Sequence, residues 1–471
     1  MEDDVATNLR RPRVAIIGAG LSGLCALRHF SGDPRYAVIA FEQRDRIGGL
    51  WSYPYGCEEH VNAEETSPYY CRIYRNLHLN GPSNFQGYPE LPFLDAETKA
   101  GIFPHHQLMT EYLQRYAKTH DLSSHIRFRA LVTRIQPITE NTTASALSHI
   151  GPCWELRITD LDSRDGMETI EIFDAVLICN GHFNKPYTPN VDSIQHFQGH
   201  VMHSAAYRTP EIFAGKNVLL VGSASSANDL TCELMHHAKT VLISRRGKYA
   251  NVFRDQERFP SVVSVSPPLR FSAHHVSSDI SSPTDTAPVS EEEPQGAKSY
   301  PVDVVIFCTG YTDHMPFLTP ACKLEVSRGR VSPLYKHLIH CEYPTLCCVG
   351  VPRLTTPPKL IEDQVRYYKA VLDGNVLLPD RQTMMEECEE DERQRRNDGL
   401  QEHQRHLMYP LQTRYFPYLR GLAKDAGFEP SKQVDEKIMV HVIEKVCNEP
   451  YDFRKSRYIV VNDEEFVCEP I

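Results

Sequence analysis

Two stretches of the chain carry the same apolar-to-polar rhythm. In the first, the β-rich run RVAII (13–17) meets the turn Gly18-Ala19-Gly20-Leu21-Ser22-Gly23, then LCALRHF at helical spacing, then a second apolar run, YAVIAF, ending at Glu42. In the second, VLLV (218–221) leads into Gly222-Ser223-Ala224-Ser225-Ser226-Ala227, the helical segment NDLTCELM, and TVLIS ending in Ser244-Arg245-Arg246. Short unbroken apolar runs followed by a glycine turn and a 3.6-period segment predict strand, turn, helix, strand, the βαβ unit of a parallel sheet. Both units also close alike, with DAVLICNGH (174–182) and DVVIFCTGY (303–311) reading as apolar strands that end in a glycine turn. The pattern therefore predicts an α/β chain holding two related dinucleotide-binding, Rossmann-like folds.

The turn chemistry says what each unit holds. In a GxGxxG turn the glycines allow a tight bend, close approach of a pyrophosphate and close helix–strand packing, and the helix N-terminus offers N–H groups to phosphate. Gly18, Gly20 and Gly23 fill the first unit, and Glu42 suits a ribose with a free 2′-hydroxyl, as in FAD or NAD. In the second unit Gly222, Ser223, Ser225 and Ser226 form the turn, with Ala224 at the usual middle glycine. Hydroxyl and guanidinium groups at Ser244, Arg245 and Arg246 replace the acid, which predicts a 2′-phosphate and NADP(H). Which arginine reads that phosphate is left open, as is an exposed strand-end role for either.

Composition narrows the class. With 471 residues the chain has room for two or three domains, and 41% hydrophobic against 24% charged residues is the balance of a globular protein. A net charge of −11 argues against a nucleic-acid or anionic-membrane binder, which needs a basic face. No run is long enough for a membrane span, and the start, MEDDVATNLRRPRV, lacks a signal peptide's apolar segment. The 14 cysteines show no CxxC and no zinc spacing, so a reducing, cytoplasmic setting and no metal are expected. The Ser/Pro/acid-rich stretch 273–299 reads as a mobile loop, and EECEEDERQRR (386–396) as a solvated helix face.

One further stretch links the two units. FQGHVMHSAAY (197–207) is too polar for a core strand and matches FxGxxxHxxx(Y/F) through Phe197, Gly199, His203 and Tyr207. This resembles the fingerprint of flavin-containing monooxygenases of the two-dinucleotide, class B type; a plain linker role remains the alternative for His203. RIGGLW (46–51), with Gly49, Leu50 and Trp51, resembles the family's GGxW segment. FCTGY (307–311) resembles its ATGY linker, and Glu362 and Gln364 fill its ExQ pair. LHLNGP (77–82) resembles the active-site segment, with Asn80 as the match, although Ser83 and Asn84 replace the Lys-Glu that often follows. Asn before Gly-Pro also favours a turn by itself, and Trp51 and Phe85 could be core aromatics or flavin-pocket walls. The resemblance spans about 13 to 380 and covers the tail weakly.

The resemblance implies an FAD domain in two parts, 1–187 and 313–471, with an NADP domain inserted at 188–312. It implies FAD and NADPH as cofactors, O₂ as co-substrate, and oxygenation of a small molecule's soft amine nitrogen or sulfide sulfur through a C4a-hydroperoxyflavin. The chain shows no nucleophile–base or metal motif, and this chemistry needs neither, because the cofactor carries it. Asn80 is the expected catalytic residue; Glu42, Gly49, Leu50, Trp51, Gln364 and the turn residues named above are the expected cofactor contacts. Cys57 stands alone after the GG turn, which argues against a flavin disulfide reductase. Baeyer–Villiger oxygenation of ketones or keto acids, and a redox-sensing protein without turnover, are the alternatives. Tyr207 in place of Trp leans away from the former. A homodimer is left open.

Overall fold

The computed structural model describes residues 10–54, 71–93, 101–139, 146–191, 193–245, 253, 255, 257–267, 269–278 and 298–471. The chain is α/β, built on two sheets, one wholly parallel and one parallel except at an antiparallel edge. The first has seven strands, in the order Leu334–Tyr335, Ile339–His340, β8 (Leu346–Cys348), β3 (Ala175–Ile178), β1 (Arg13–Ile17), β2 (Ala37–Phe41) and Ile126–Arg127. Its strands from β8 to Ile126–Arg127 run parallel, with Ile17 opposite both Phe41 and Ile178. The second has five, in the order Val262–Val265, β6 (Thr240–Ser244), β5 (Asn217–Val221), β7 (Val304–Phe307) and β4 (His200–His203), all parallel.

The apolar runs explain these sheets. β3 and β7 are buried at every position, and β1 at all but its first, because both faces of each parallel sheet are covered. On one face of the first sheet, helices α1 (Leu21–Ser31), His106–Thr119 and α3 (Pro357–Leu372) pack Leu24, Leu27, Tyr112, Tyr116, Val365 and Tyr368 into one core. On the other lies an antiparallel meander, Ala130–Ile138, Cys153–Asp160 and Glu168–Phe173, whose Trp154 is fully buried. The Trp154 indole N–H donates to Thr345 Oγ1 at 3.0 Å, which satisfies its polar end. Helix α2 (Ser225–Leu234) follows β5 as α1 follows β1.

Two expectations need correction. FQGHVMHSAAY is more than a polar link: its His200–His203 is β4, the edge strand of the second sheet, with His203 opposite Phe307. An edge position accounts for its polarity, since one side of the strand carries no ladder. Within 273–299, expected as a loop, His275–Ser278 pairs antiparallel with Lys298–Pro301, so both ends are ordered strand; 279–297 lie outside the described residues. The charge run 386–396 lies on a helix, Arg381–Asn397, in which Met384 and Arg395 are buried. No described helix is long and apolar enough to cross a membrane.

Candidate functional site

Both glycine turns sit where their strands end. Gly18 has φ +102°, and a Cβ there would stand 2.9 Å from Cys179 O, at the end of β3. Gly222 repeats this at φ +145°, with a Cβ 2.3 Å from Cys308 O, at the end of β7. A side chain would be strained in both conformations and would push the neighbouring strand away. Gly23 holds α1 against the turn, since a Cβ would come within 1.9 Å of Gly18 O. Gly20 faces Gly49, its own Cβ position lying 3.4 Å from Gly49 Cα, so the first turn meets the GGLW segment backbone to backbone. Gly49–Trp51 is a single 3₁₀ turn; Leu50 packs beside Tyr53, Cys71 and Ile73, and Trp51 packs against the main core.

Neither helix following these turns is capped by a side chain: the N-cap residue is Gly20 for α1 and Ala224 for α2. Their first N–H groups therefore have no side-chain cap, the arrangement that suits an anion. Ala224 is exposed and extended, Ser225 exposed, and Ser223 and Ser226 half-buried. Glu42, 6% exposed just past β2, accepts the Ala19 N–H at 2.8 Å and the Arg44 N–H at 3.0 Å. Those bonds fix its carboxylate beside the turn, while burial raises its pKa.

The second strand end has a different environment from the first. Ser244, the last residue of β6, and Arg245 just past it are buried, at 5% and 6% exposure. All three guanidinium nitrogens of Arg245 are buried without a hydrogen-bond partner among the described residues. Its neighbours are the Phe253 ring at 5.3 Å and the thiols of Cys232 and Cys308; burial pushes its pKa down to about 10. Arg246 lies outside the described residues. A buried charge with no counterion costs several kcal/mol, so this site calls for an anion.

The fingerprint residues are placed as a brace. Phe197 is buried against Phe271, and a Cβ on Gly199 would strike Phe197 and Asp303 O. The His203 Nδ1 accepts the Ala205 N–H at 3.0 Å, its ring edges onto Tyr311 at 5.3 Å, and burial pushes its pKa down to about 4. Tyr207 is fully buried, stacked on Phe213, with its hydroxyl donating to Glu233 Oε2 at 2.6 Å. Next to it Arg208 donates to the carbonyls of Ala205, Tyr207 and Cys71. The stretch thus ties the second sheet to 71–75, the segment that leads to Asn80. Burial raises Glu233 to about 7. An acid held neutral in the fold loses stability as pH climbs from its unfolded value, near 4.5, through 7. E233Q keeps an acceptor for Tyr207 and should gain roughly 2–3 kcal/mol over wild type at pH 8 that is absent at pH 4, checked by denaturant melts at both pH values.

Asn80 is exposed, and its Oδ1 accepts an Arg454 N–H at 2.6 Å. Ser83, one of the departures from the usual segment, is buried, accepts the Gly101 N–H at 3.0 Å and donates its own N–H to Ile102 O at 2.8 Å, so the turn is tied to the 101–102 backbone. Phe85 packs into a C-terminal cluster with Phe103, Phe453 and Tyr458. Gln364 is fully buried on α3; it accepts the Gly350 N–H at 2.8 Å and donates to the Tyr418 hydroxyl at 2.8 Å, setting the 350 turn over Ser22. Glu362 ties α3 to α1 by accepting the Cys25 thiol at 3.3 Å and meeting His29 at 3.0 Å. Arg454, Asp229, Tyr74 and Glu233 were not foreseen. Buried Asn228 and Asp229 on an otherwise apolar helix face were a usable signal; YDFRKSRY offered none for Arg454.

The chain is similar to proteins of one family. The family described as flavin-binding monooxygenase-like matches residues 11–265 and 268–456, well beyond the 13–380 expected from motifs. The flavin-containing monooxygenase FMO GS-OX-like 3 of Arabidopsis thaliana is 30% identical over 419 residues, 87% of each chain. The S-allyl-L-cysteine S-oxygenase of Allium sativum superposes with a TM-score of 0.79 at 26% identity, covering 95% of each chain. Tmm from Pelagibacter sp. strain HTCC7211 shares the fold, with a TM-score of 0.77 at 21% identity over 98% of this chain and 96% of its own. With two βαβ turns, a fingerprint brace and a family match over nearly its whole length, this chain belongs to the flavin-binding monooxygenase-like family.

Proposed function

We propose that the chain uses NADPH and O₂ to oxygenate a soft nucleophilic sulfur, or a comparable amine nitrogen, on a small molecule. The observation that carries the NADPH half is Arg245, a buried guanidinium that has no acid beside it among the described residues and follows β6, the strand end that reads the ribose in such a unit. Sulfur is preferred because the S-allyl-L-cysteine S-oxygenase is alike over 95% of both chains. Bound FAD, reduced by NADPH, supplies the activation of O₂ and the transferable oxygen atom. The protein's part is placement. Gly18, Gly20 and the first N–H groups of α1 hold the FAD pyrophosphate, and Glu42 takes its ribose hydroxyls. Gly222, Ser223, Ser225 and Ser226 hold the NADPH pyrophosphate, and Arg245 takes the 2′-phosphate. Asn80 is suited to the reacting centre, because an amide both donates and accepts but brings no titrating proton.

The test is consumption of NADPH and O₂ by the FAD-loaded protein with S-allyl-L-cysteine, reading the sulfoxide by mass spectrometry under ¹⁸O₂. Incorporation of one labelled oxygen supports the proposal; flavin that NADPH cannot reduce overturns it. Replacing Arg245 by Met should raise the KM for NADPH roughly 10- to 100-fold, the worth of one charge-assisted phosphate contact. The KM for NADH should hardly move. Equal losses with both cofactors would take the 2′-phosphate away from Arg245.

A further inference from the structure

Arg454 stands just before β9 (Ser456–Val460), far along the chain from either nucleotide unit. Its guanidinium is shared among two separate parts of the fold. Nη1 and Nη2 fork onto the two carboxylate oxygens of Asp229 on α2, at 2.8 and 3.1 Å. Nη2 also donates to Asn80 Oδ1 at 2.6 Å and to His78 O at 3.2 Å, and Nε donates to Leu79 O at 3.3 Å. The Asp229 carboxylate is completed by the Tyr74 hydroxyl at 2.6 Å, and the Tyr74 ring edges onto the fingerprint's Tyr207 at 5.6 Å. A continuous set of contacts thus runs from the fingerprint, through the NADP-side helix, to Asn80.

The C-terminal segment is built to hold Arg454 there. Phe453 and Tyr458 pack on Phe103 with ring centroids 5.3 and 6.1 Å away, and Val434, Ile438 and Val442 complete that core. A Cβ on Gly101 would stand 2.0 Å from Tyr458 O, so β9 lies directly against the backbone that follows the Asn80 loop. The Asn84 amide also reaches Tyr458 O.

We infer that Arg454 is a positioning residue for the reacting centre: it fixes which way the Asn80 amide faces and couples that amide to the NADP-side helix through Asp229. An amide can turn over, exchanging its oxygen and its NH₂. With the guanidinium on Oδ1, the turned-over amide would set donor against donor, so Nδ2 is held facing away from Arg454. This rests on the oxygenase reading above, with Asn80 at the reacting centre.

The test follows how electrons leave the FAD-loaded protein. Without an acceptor, NADPH, H⁺ and O₂ give NADP⁺ and H₂O₂; with a sulfide, they give NADP⁺, water and the sulfoxide. H₂O₂ release is measured with NADPH and air-saturated buffer alone, for wild type, R454K, R454M, D229N, N80A and the double variant R454M/N80A. R454M should release H₂O₂ three- to tenfold faster than wild type, about the worth of one oriented hydrogen bond, with less than about a threefold change in the KM for NADPH. R454K should recover part of the control, and R454M should add little to N80A, because both act through one amide. Wild-type rates in R454M, or effects of R454M and N80A that simply multiply, would overturn the inference. Should R454M fail to retain FAD, R454K and D229N decide by the same rates: release unchanged from wild type in both overturns it. A wild-type protein that does not oxidise NADPH at all fails earlier, at the proposed function, and takes the inference with it.

Discussion

Acidification from pH 7 to pH 5 should unfold the protein cooperatively, with a midpoint between about pH 4.5 and 5.5. The cause is a set of histidines built into the core as neutral rings. His106 and His340 are fully buried and pushed down to about 4, and His337 to about 3. His406, 5% exposed, is held well below the ordinary imidazole range. Burial is the first cause in each case; His406 is lowered further by His337, Arg353 and Arg395, and His337 by Arg395. Their hydrogen bonds add to this. His406 Nε2 accepts the Val331 N–H at 3.0 Å, so its proton sits on Nδ1 and bridges to His337 Nδ1, 3.0 Å away. A second proton on His406 would displace the Val331 N–H from Nε2, and one on His337 Nδ1 would break the bridge.

The direction follows from linkage. Below pH 6.5 the unfolded chain protonates these rings and the native chain does not, so native stability falls with pH at about 1.4 kcal/mol per histidine per pH unit. His182 and His203, half-buried and pushed down to about 3 and 4, add to the loss. Two acids oppose it: Glu233, raised to about 7, and Asp363, raised to about 6, keep protons in the native state that the unfolded chain releases. The balance is a loss on the order of 5 kcal/mol by pH 5, comparable to the whole stability of many domains. A pH titration followed by near-ultraviolet circular dichroism checks it. A native signal that persists to pH 4 would show that these rings titrate normally in the fold.

The parts that periodicity and turn chemistry control were legible in the sequence. RVAII and VLLV became parallel strands, and the glycine turns stand at their ends, because an unbroken apolar run bounded by glycine has few other uses. What escaped depended on distant parts of the chain. FQGHVMHSAAY was legible as a motif but not as an edge strand, since its polarity reports exposure on one side and not the pairing with β7 on the other. Arg454 was invisible because its meaning lies in Asp229 and Asn80, which sit 225 and 374 positions away in the chain. The buried histidines carry no sequence signal for the same reason: only packing shows which of the 22 are enclosed.

Gly23→Ala should cost the protein most of its FAD and several kcal/mol of stability, whereas Gly20→Ala should cost FAD and leave the fold intact. At Gly23 the added methyl would lie 1.9 Å from Gly18 O and 2.9 Å from Gly18 C. Both are backbone atoms of the turn, so relief requires α1 to move off the sheet. Overpacking of that kind costs about 1–3 kcal/mol where side chains can give way, and more where they cannot. At Gly20 a methyl would approach only Gly49, no nearer than 3.4 Å, so the protein itself has room for it. What it would meet is the space through which a pyrophosphate approaches. The second unit already carries the equivalent side chain, Ala224, exposed and in an extended conformation that any residue adopts. Flavin content per chain and melting temperature separate the two effects, with Gly32→Ala, outside the turn and in ordinary helical conformation, as the control. Loss of melting temperature in Gly20→Ala equal to that in Gly23→Ala would show that the middle glycine serves the fold. Full FAD content in Gly20→Ala would place the pyrophosphate farther from this turn, and Ala224 would then be no obstacle to NADPH in the second unit.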